Sequence, residues 1–235
     1  MGIAAIVLSR FDSSRLPGKA LRPIGGRPLM GRVLDRARRM VEVDFVVLAT
    51  SDRPLDDPVA NFAAAQGVRV FRGSGEDVAG RCRDCCRELG LIRFVRICGD
   101  SPFVDPVLAD RLAAFAQAHG DEFDVVTNVF PRLWPIGNSI EVVSSEAMER
   151  LCDLTNRPSD REHVTNYFYD QPDRFRIRNF PPPDGPMRDF SMAVDDPEDL
   201  EKAEWMVRQL DGPPEKAPFE RIVALARAWY AQRTA

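Results

Sequence analysis

The stretch IAAIVLSRFDSSRLPGK, residues 3–19, decides the reading of the fold. Ile3 to Leu8 form an apolar run too short for a helix and too continuous for a strand with one wet face. They read as a strand buried on both sides. The residues that follow are dense in polar chemistry: Ser9, Arg10, Ser13, Ser14, Arg15, Gly18 and Lys19. In an open α/β sheet, the crevice beyond the carboxyl ends of the strands is where ligands bind.

Further apolar runs at 45–49, 93–98 and 123–127 read as strands. Between the first two, Leu29, Val33, Ala37, Met40 and Val41 share one helical face. Residues 58–66 and 77–89 are further helix candidates, and Asp105-Pro106 pairs an N-cap with proline at N1. The alternation predicts an α/β fold: a mainly parallel sheet with helices on both faces. Beyond Asn128 the rhythm breaks at Pro131, Pro135 and Gly137. A strand is expected at 139–143, and a helix capped by Ser159, with Glu162 at N3, running through Tyr169. A strand at 190–194 and helices from Pro197 and Pro218 close the chain. The economical reading is one domain, 1–235, with an irregular excursion at about 128–188.

Composition excludes several function classes. Lys and Arg number 32 against 36 Asp and Glu, and 32 − 36 gives a net charge of −4. That is not the cationic excess of a duplex-binding protein, so no nucleic-acid partner is expected. A hydrophobic fraction of 44% with 29% charged residues fits a globular chain with a real core. No apolar stretch approaches the ~18 residues of a membrane span, so no membrane insertion is expected. The run at 3–8 lacks a basic leader and is shorter than the ~7–15 residues of a signal-peptide core. Five cysteines, sparse and odd in number, fit a reducing compartment. The expected location is cytoplasmic.

The loop at 9–19 places three cations and three serine hydroxyls within eleven residues, which suits a polyanion. Gly18 lets backbone approach closely, and Lys and Arg donate to phosphate oxygens. Ser13 stands where a Walker A loop needs its first glycine, and no G-x-G-x-x-G is present. From spacing alone, a solvated surface loop is an equal alternative.

Longer motifs carry a resemblance. Ser9-Arg10, Ser14-Arg15-Leu16-Pro17-Gly18-Lys19 and Ile24-Gly25-Gly26-Arg27-Pro28-Leu29 are followed by Gly73 with Glu76-Asp77-Val78, and by Arg96 with Gly99-Asp100-Ser101-Pro102. Arg161-Glu162-His163-Val164-Thr165 and Val194-Asp195 with Pro197-Glu198-Asp199-Leu200 complete the set. In this order the blocks resemble the sugar cytidylyltransferases, a group that includes the CMP-ketodeoxyoctonate and CMP-sialic acid synthetases. They resemble most its spore-coat polysaccharide biosynthesis protein F branch. The resemblance implies a nucleotide-diphospho-sugar-transferase-like fold with a mixed central sheet. It also implies transfer of CMP from CTP to a sugar for surface polysaccharide or glycan synthesis, with Mg²⁺ as cofactor and pyrophosphate as co-product. Arg10, Arg15 and Lys19 match the family's triphosphate-binding positions, with Ser9, Ser13, Ser14 and Gly18 beside them. Thr50, Ser51, Gly73 and Asp77 are candidates for base or ribose contacts.

Asp100 and Asp195 each follow an expected strand, where a metal–phosphate complex could meet them. Mg²⁺ at phosphoryl-transfer sites takes one or two carboxylates plus substrate oxygens and water. Both residues match metal-binding positions of the resembled family. Asp196, before Pro197, is accounted for as an N-cap. Arg161 and His163 are candidate substrate contacts, Glu162 being accounted for by the capping box. Asn138 and Glu141 belong to Gly137-Asn138-Ser139-Ile140-Glu141, where relatives read Gly-x-Asp-x-Glu. Ser139 thus replaces a carboxylate, which bears on the acceptor and leaves the sugar unassigned.

Val78, Cys82, Cys85 and Leu89 fall on one helical face, so these cysteines, with Cys86, read as apolar packing rather than a metal site. His119 beside Gly120 reads as a helix end. Phe130, Trp134, Phe168 and Tyr169 are candidates for core or subunit contact, or for holding a sugar ring. The resembled sialic acid synthetases associate through a comparable excursion, so a homodimer built on Phe130, Leu133, Trp134 and Ile136 is expected. Two rivals stand beside the cytidylyltransferase reading: a glycosyltransferase of the same fold, and a non-catalytic nucleotide-binding paralogue.

Overall fold

The computed structural model describes residues 2–234. The opening apolar run is strand β1 (Gly2–Leu8), and its period of two divides two cores. Ile3, Ala5 and Val7 pack on one face of the sheet, Ala4 and Ile6 on the other. After the loop comes a short hairpin, β2 (Pro23–Ile24) with β3 (Arg27–Pro28). Helix α1 (Leu29–Ala37) buries Leu29, Met30, Val33, Leu34 and Ala37. The helix ends at Ala37, four residues short of the end of the expected stripe. Both Met40 and Val41 lie beyond the helix end; Met40 is still buried, but Val41 is 80% exposed.

The chain continues through β4 (Phe45–Ser51), α2 (Asp57–Ala65), β5 (Arg69–Gly73), α3 (Val78–Leu89) and β6 (Leu91–Cys98). Asp77 starts α3, its carboxylate accepting from the Gly80 N–H at 2.7 Å. Asp105 does the same for α4 (Pro106–Ala118), accepting from Val107 at 3.0 Å. Then follow β7 (Val125–Thr127), β8 (Glu141–Ser144), α5 (Ser145–Leu154), α6 (Pro158–Glu162), α7 (Asn166–Asp170), β9 (Ile177–Asn179), α8 (Pro197–Arg208) and α9 (Phe219–Thr234).

Among the described residues, seven strands form one sheet in the order β5-β4-β1-β6-β8-β7-β9. The first four are parallel, β8 runs against both β6 and β7, and β9 is parallel to β7. The sheet is therefore mixed. From β1 the chain winds outward to β4 and β5, and α3 then carries it back past β1 to β6. The winding reverses between β1 and β6, so a crevice opens beyond Leu8 and Cys98. No helix of the described residues is long and apolar enough to cross a membrane.

Three local expectations are corrected. Residues 190–194 do not form a strand. Ser191 makes only a bridge with Ile136, while Met192 donates to the Ile136 carbonyl at 2.7 Å and Val194 to the Asp100 carbonyl at 2.9 Å. The segment pairs with the irregular excursion and with the loop after β6, not with a sheet strand. The helix expected from Ser159 to Tyr169 is two short helices, α6 and α7. Arg157 holds the cap position with Pro158 at N1, and the break falls where the Thr165 hydroxyl turns inward to Glu141 at 2.9 Å. Trp134, expected at a subunit contact, is 5% exposed. Its Nε1 donates to the Phe180 carbonyl at 2.7 Å and its ring lies 5.9 Å from Phe219, so it packs against its own chain.

Candidate functional site

The loop after β1 is braced from behind. Asp56, fully buried, accepts from the Phe11 N–H, the Ser51 hydroxyl and Arg53. Burial opposes its charge, but those hydrogen bonds prevail and hold its carboxyl below the usual carboxylate range. The Gly18 N–H closes the loop on the Phe11 carbonyl at 3.2 Å. Gly18 itself has φ 68°, a left-handed conformation that glycine adopts without steric cost, and Lys19 follows directly. The facing wall is as tight. A Cβ on Gly99 would lie 2.6 Å from the Ser9 Cβ and 2.8 Å from the Leu8 carbonyl oxygen. Glycine is what lets the ends of β1 and β6 meet.

These elements enclose a cleft of about 330 Å³ at the switch point. Ser9, Arg10, Ser13, Ser14, Arg15 and Lys19 line one wall, while Gly18 is not part of the lining. Asp100 comes from the end of β6 and Asp195 from the residue before the α8 cap. The Lys19 ammonium stands between them, 2.8 Å from Asp195 Oδ1 and 3.8 Å from Asp100 Oδ2, and donates to the Val194 carbonyl at 3.1 Å. Arg15, largely exposed, reaches Asp195 Oδ1 at 3.1 Å. Burial works against the charge of Asp195, but Lys19 and Arg15 hold its carboxyl below its ordinary range. Asp196 caps α8, accepting from the Asp199 N–H at 2.9 Å, which separates its structural task from its neighbour's. Among the described residues no cluster of three or more His, Cys, Asp or Glu that could hold a metal ion is present.

Other expected residues lie elsewhere. Thr50 and Ser51 are fully buried, and the Ser51 hydroxyl is committed to Asp56. Gly73 pairs with Ser51 at the edge of the sheet, and Asp77 caps α3 while facing Arg161 at 3.5 Å. What the 73–77 turn offers the cleft is held by two arginines. Arg10 takes the Gly75 carbonyl at 2.7 Å and Arg81 the Ser74 carbonyl at 2.6 Å. Asn138 is buried, its Oδ1 accepting from the Asp105 N–H at 2.8 Å. Glu141, 2% exposed, is an interior group as well. Neither lines the cleft. His163 is exposed at the end of α6 and also outside the lining, whereas Glu162 lines it and faces Arg10 at 3.4 Å. The capping-box reading assigned Glu162 to the wrong task because Arg157, not Ser159, begins the helix.

Arg81 and Arg96 also line the cleft and were not among the expected site residues. A signal for Arg96 was present: an arginine between Val95 and Ile97 in a buried strand needs a partner or a purpose.

The cleft suits an anionic substrate more than covalent catalysis. Among the described residues no histidine lines it. Burial pushes the Cys98 thiol up to about 11, so it is protonated and a poor nucleophile at neutral pH. Cys82 and Cys86 are pushed to about 12 by burial within the core, as expected of packing residues.

Comparison with known proteins agrees with this geometry. The chain is 31% identical over 233 residues, 96% of its length and 94% of the relative's, to the spore coat polysaccharide biosynthesis protein SpsF of Bacillus subtilis (strain 168). It is 32% identical over 132 residues, 54% of its length and 52% of the relative's, to the 8-amino-3,8-dideoxy-manno-octulosonate cytidylyltransferase of Shewanella piezotolerans (strain WP3). Its fold matches the structure of a cytidylyltransferase from Leptospira borgpetersenii serovar Hardjo-bovis with a TM-score of 0.92 at 24% identity, covering 98% of this chain and 96% of that one. The cytidylyltransferase family profile runs across residues 4–232, from β1 to the last helix, and so takes in every residue that builds the cleft. The chain belongs to the cytidylyltransferase family.

Proposed function

We propose that the cleft carries CMP from CTP to a hydroxyl of an acidic sugar, with release of pyrophosphate, and that Lys19 and Asp195 are central to it. The observation that carries this reading is the Lys19 ammonium held 2.8 Å from Asp195 and 3.8 Å from Asp100 at the head of a cleft lined by Arg10 and Arg15. Nucleotidyl transfer requires in-line alignment and positive charge where the leaving pyrophosphate gathers negative charge, not a protein nucleophile. Lys19, Arg10 and Arg15 supply that charge from one loop, and Ser9, Ser13 and Ser14 supply hydroxyl donors beside them. The acidic acceptor is suggested by the relative named for an octulosonate.

Asp100 and Asp195 fit a divalent cation: they are hard oxygen donors, and they already bracket one positive charge. They would hold Mg²⁺, which when bound supplies charge neutralisation at the phosphates. The free thiols suit a cytoplasmic setting. Phosphorus NMR of the reaction tests the reading. A phosphodiester resonance from a CMP-sugar should rise together with pyrophosphate. Inorganic phosphate and CDP in their place would contradict it.

A further inference from the structure

Strand β6 carries a charge in its middle. Arg96, Cys98 and, just beyond the strand, Asp100 alternate onto one face and form the floor of the cleft. The Arg96 side chain is 16% exposed, and its Nη1 donates to Glu141 Oε2 at 2.8 Å. Its Nε is buried and has no acceptor among the described residues.

Glu141 lies directly across the sheet from Arg96, in register on β8. Its other oxygen accepts from the Thr165 hydroxyl at 2.9 Å and the Tyr169 hydroxyl at 3.3 Å. Burial, together with that carboxylate, pushes Tyr169 well above its ordinary range, so it remains a donor. Glu141 is thus committed inside the protein and fixes the plane of the guanidinium. An apolar pair would be cheaper here than a buried ion pair with an N–H left over, and buried donors without acceptors are rare. The unused N–H belongs to the fork with which arginine takes a planar or tetrahedral oxyanion. Arg96 lies two residues inside the carboxyl end of β6 and Asp100 two residues beyond it, in the turn, so the guanidinium and the Lys19 ammonium reach the cleft from different points of the chain.

We propose that Arg96 binds an oxyanion of a substrate on the cleft floor, and that Glu141 is the positioning residue that aims it. The inference rests on the nucleotidyl-transfer reading of the cleft. The oxyanion is the carboxylate of the acceptor or a phosphate oxygen of CTP. The experiment separates the two sources.

Three variants are needed: Arg96→Met, Arg96→Lys, which keeps the charge and loses the fork, and Glu141→Gln, which still accepts from Thr165 and Tyr169. The probes are CTP, by calorimetry, and a panel of 3-deoxy-2-keto sugar acids with their methyl esters, by steady-state kinetics. If the acceptor supplies the oxyanion, Arg96→Lys should raise KM for the acid about 10-fold or more. Its kcat should stay within about threefold, CTP affinity should be unchanged, and the preference for acid over ester should disappear. If CTP supplies it, the CTP Kd should rise about 10-fold or more instead, with the acceptor KM unmoved. Glu141→Gln should shift the same parameter in the same direction. Wild-type values of both parameters in folded Arg96→Lys would overturn the proposal, even if Arg96→Met fails to fold. A Glu141→Gln protein that loses only thermal stability would overturn the positioning role. A wild-type protein that releases no pyrophosphate from CTP with any acid would overturn the functional reading first, and this inference with it.

Discussion

Lys19 Nζ and Asp195 Oδ1 meet at 2.8 Å across 176 residues of sequence. The contact ties the loop after the first strand to the turn that starts α8, and Asp100 at 3.8 Å makes the ammonium a shared cation for two carboxylates. The residues proposed to bind a nucleotide from one side and a cation from the other are therefore coupled. Replacing any one of the three changes the charge felt by the other two.

Replacing Lys19 with alanine should lower turnover by about 10²-fold or more, since a positioned charge at the transition state is lost. Steady-state pyrophosphate release measures it, and circular dichroism should show the fold intact. Turnover within twofold of wild type would remove Lys19 from the mechanism.

Asp195→Asn should abolish activity that depends on a divalent cation, while Asp196→Asn should retain most of it. Asparagine caps a helix about as well as aspartate, so the second change should also be nearly silent in thermal stability. Activity titrated against Mg²⁺ in both variants decides the matter. A dead Asp196→Asn and an active Asp195→Asn would reverse the assignment.

How much of this was legible in the sequence follows from how local each signal is. The buried strand at residues 3–8, the cationic loop and the Asp196 cap each depend on a few adjacent residues, and the structure has them where the pattern put them. Thr50 and Ser51 sit at a strand end, a position shared by site residues. The side chain of Ser51 nevertheless faces Asp56, and only the packing of the following turn shows it. Glu141 closes a family motif, and that position alone makes it read as a substrate contact. Its partners Arg96, Thr165 and Tyr169 come from three other elements, so its interior role is a tertiary fact. Glu162 rather than His163 lines the cleft because α6 begins two residues before the expected start.

The Asp56 brace gives a pH dependence. Its carboxyl is held below the usual range in the folded chain, so its contribution to stability is complete above the unfolded value of roughly 4 and is lost as pH falls through the lower folded value. At neutral pH Asp56→Ala should be less stable than wild type by about 1–3 kcal/mol, because the Phe11 N–H and Ser51 hydroxyl lose their acceptor. Urea titrations at pH 7 and below pH 4 should show that difference shrinking with acidity. A constant difference would mean that the carboxylate charge plays no part.

Trp134→Glu should act on folding rather than on association. The ring is buried against Phe219, and its N–H is committed to Phe180, so a carboxylate there would be buried without a partner. Thermal unfolding should drop sharply or the protein should be insoluble. Any subunit contact in this segment would have to use the exposed Ile136 and the half-buried Phe130 and Leu133 instead. A stable Trp134→Glu monomer derived from a wild-type dimer, seen by sedimentation, would contradict this.

The most direct test is a pyrophosphate-release screen of the wild-type chain with CTP, UTP, GTP and ATP, each against a panel of acidic and neutral sugars, with Lys19→Ala run in parallel. The account predicts release from CTP in the presence of an acidic sugar, little release from the other nucleotides, and a signal in Lys19→Ala reduced by about two orders of magnitude. No release from CTP with any sugar, or release of a nucleoside diphosphate from a nucleotide-sugar donor instead, would contradict it.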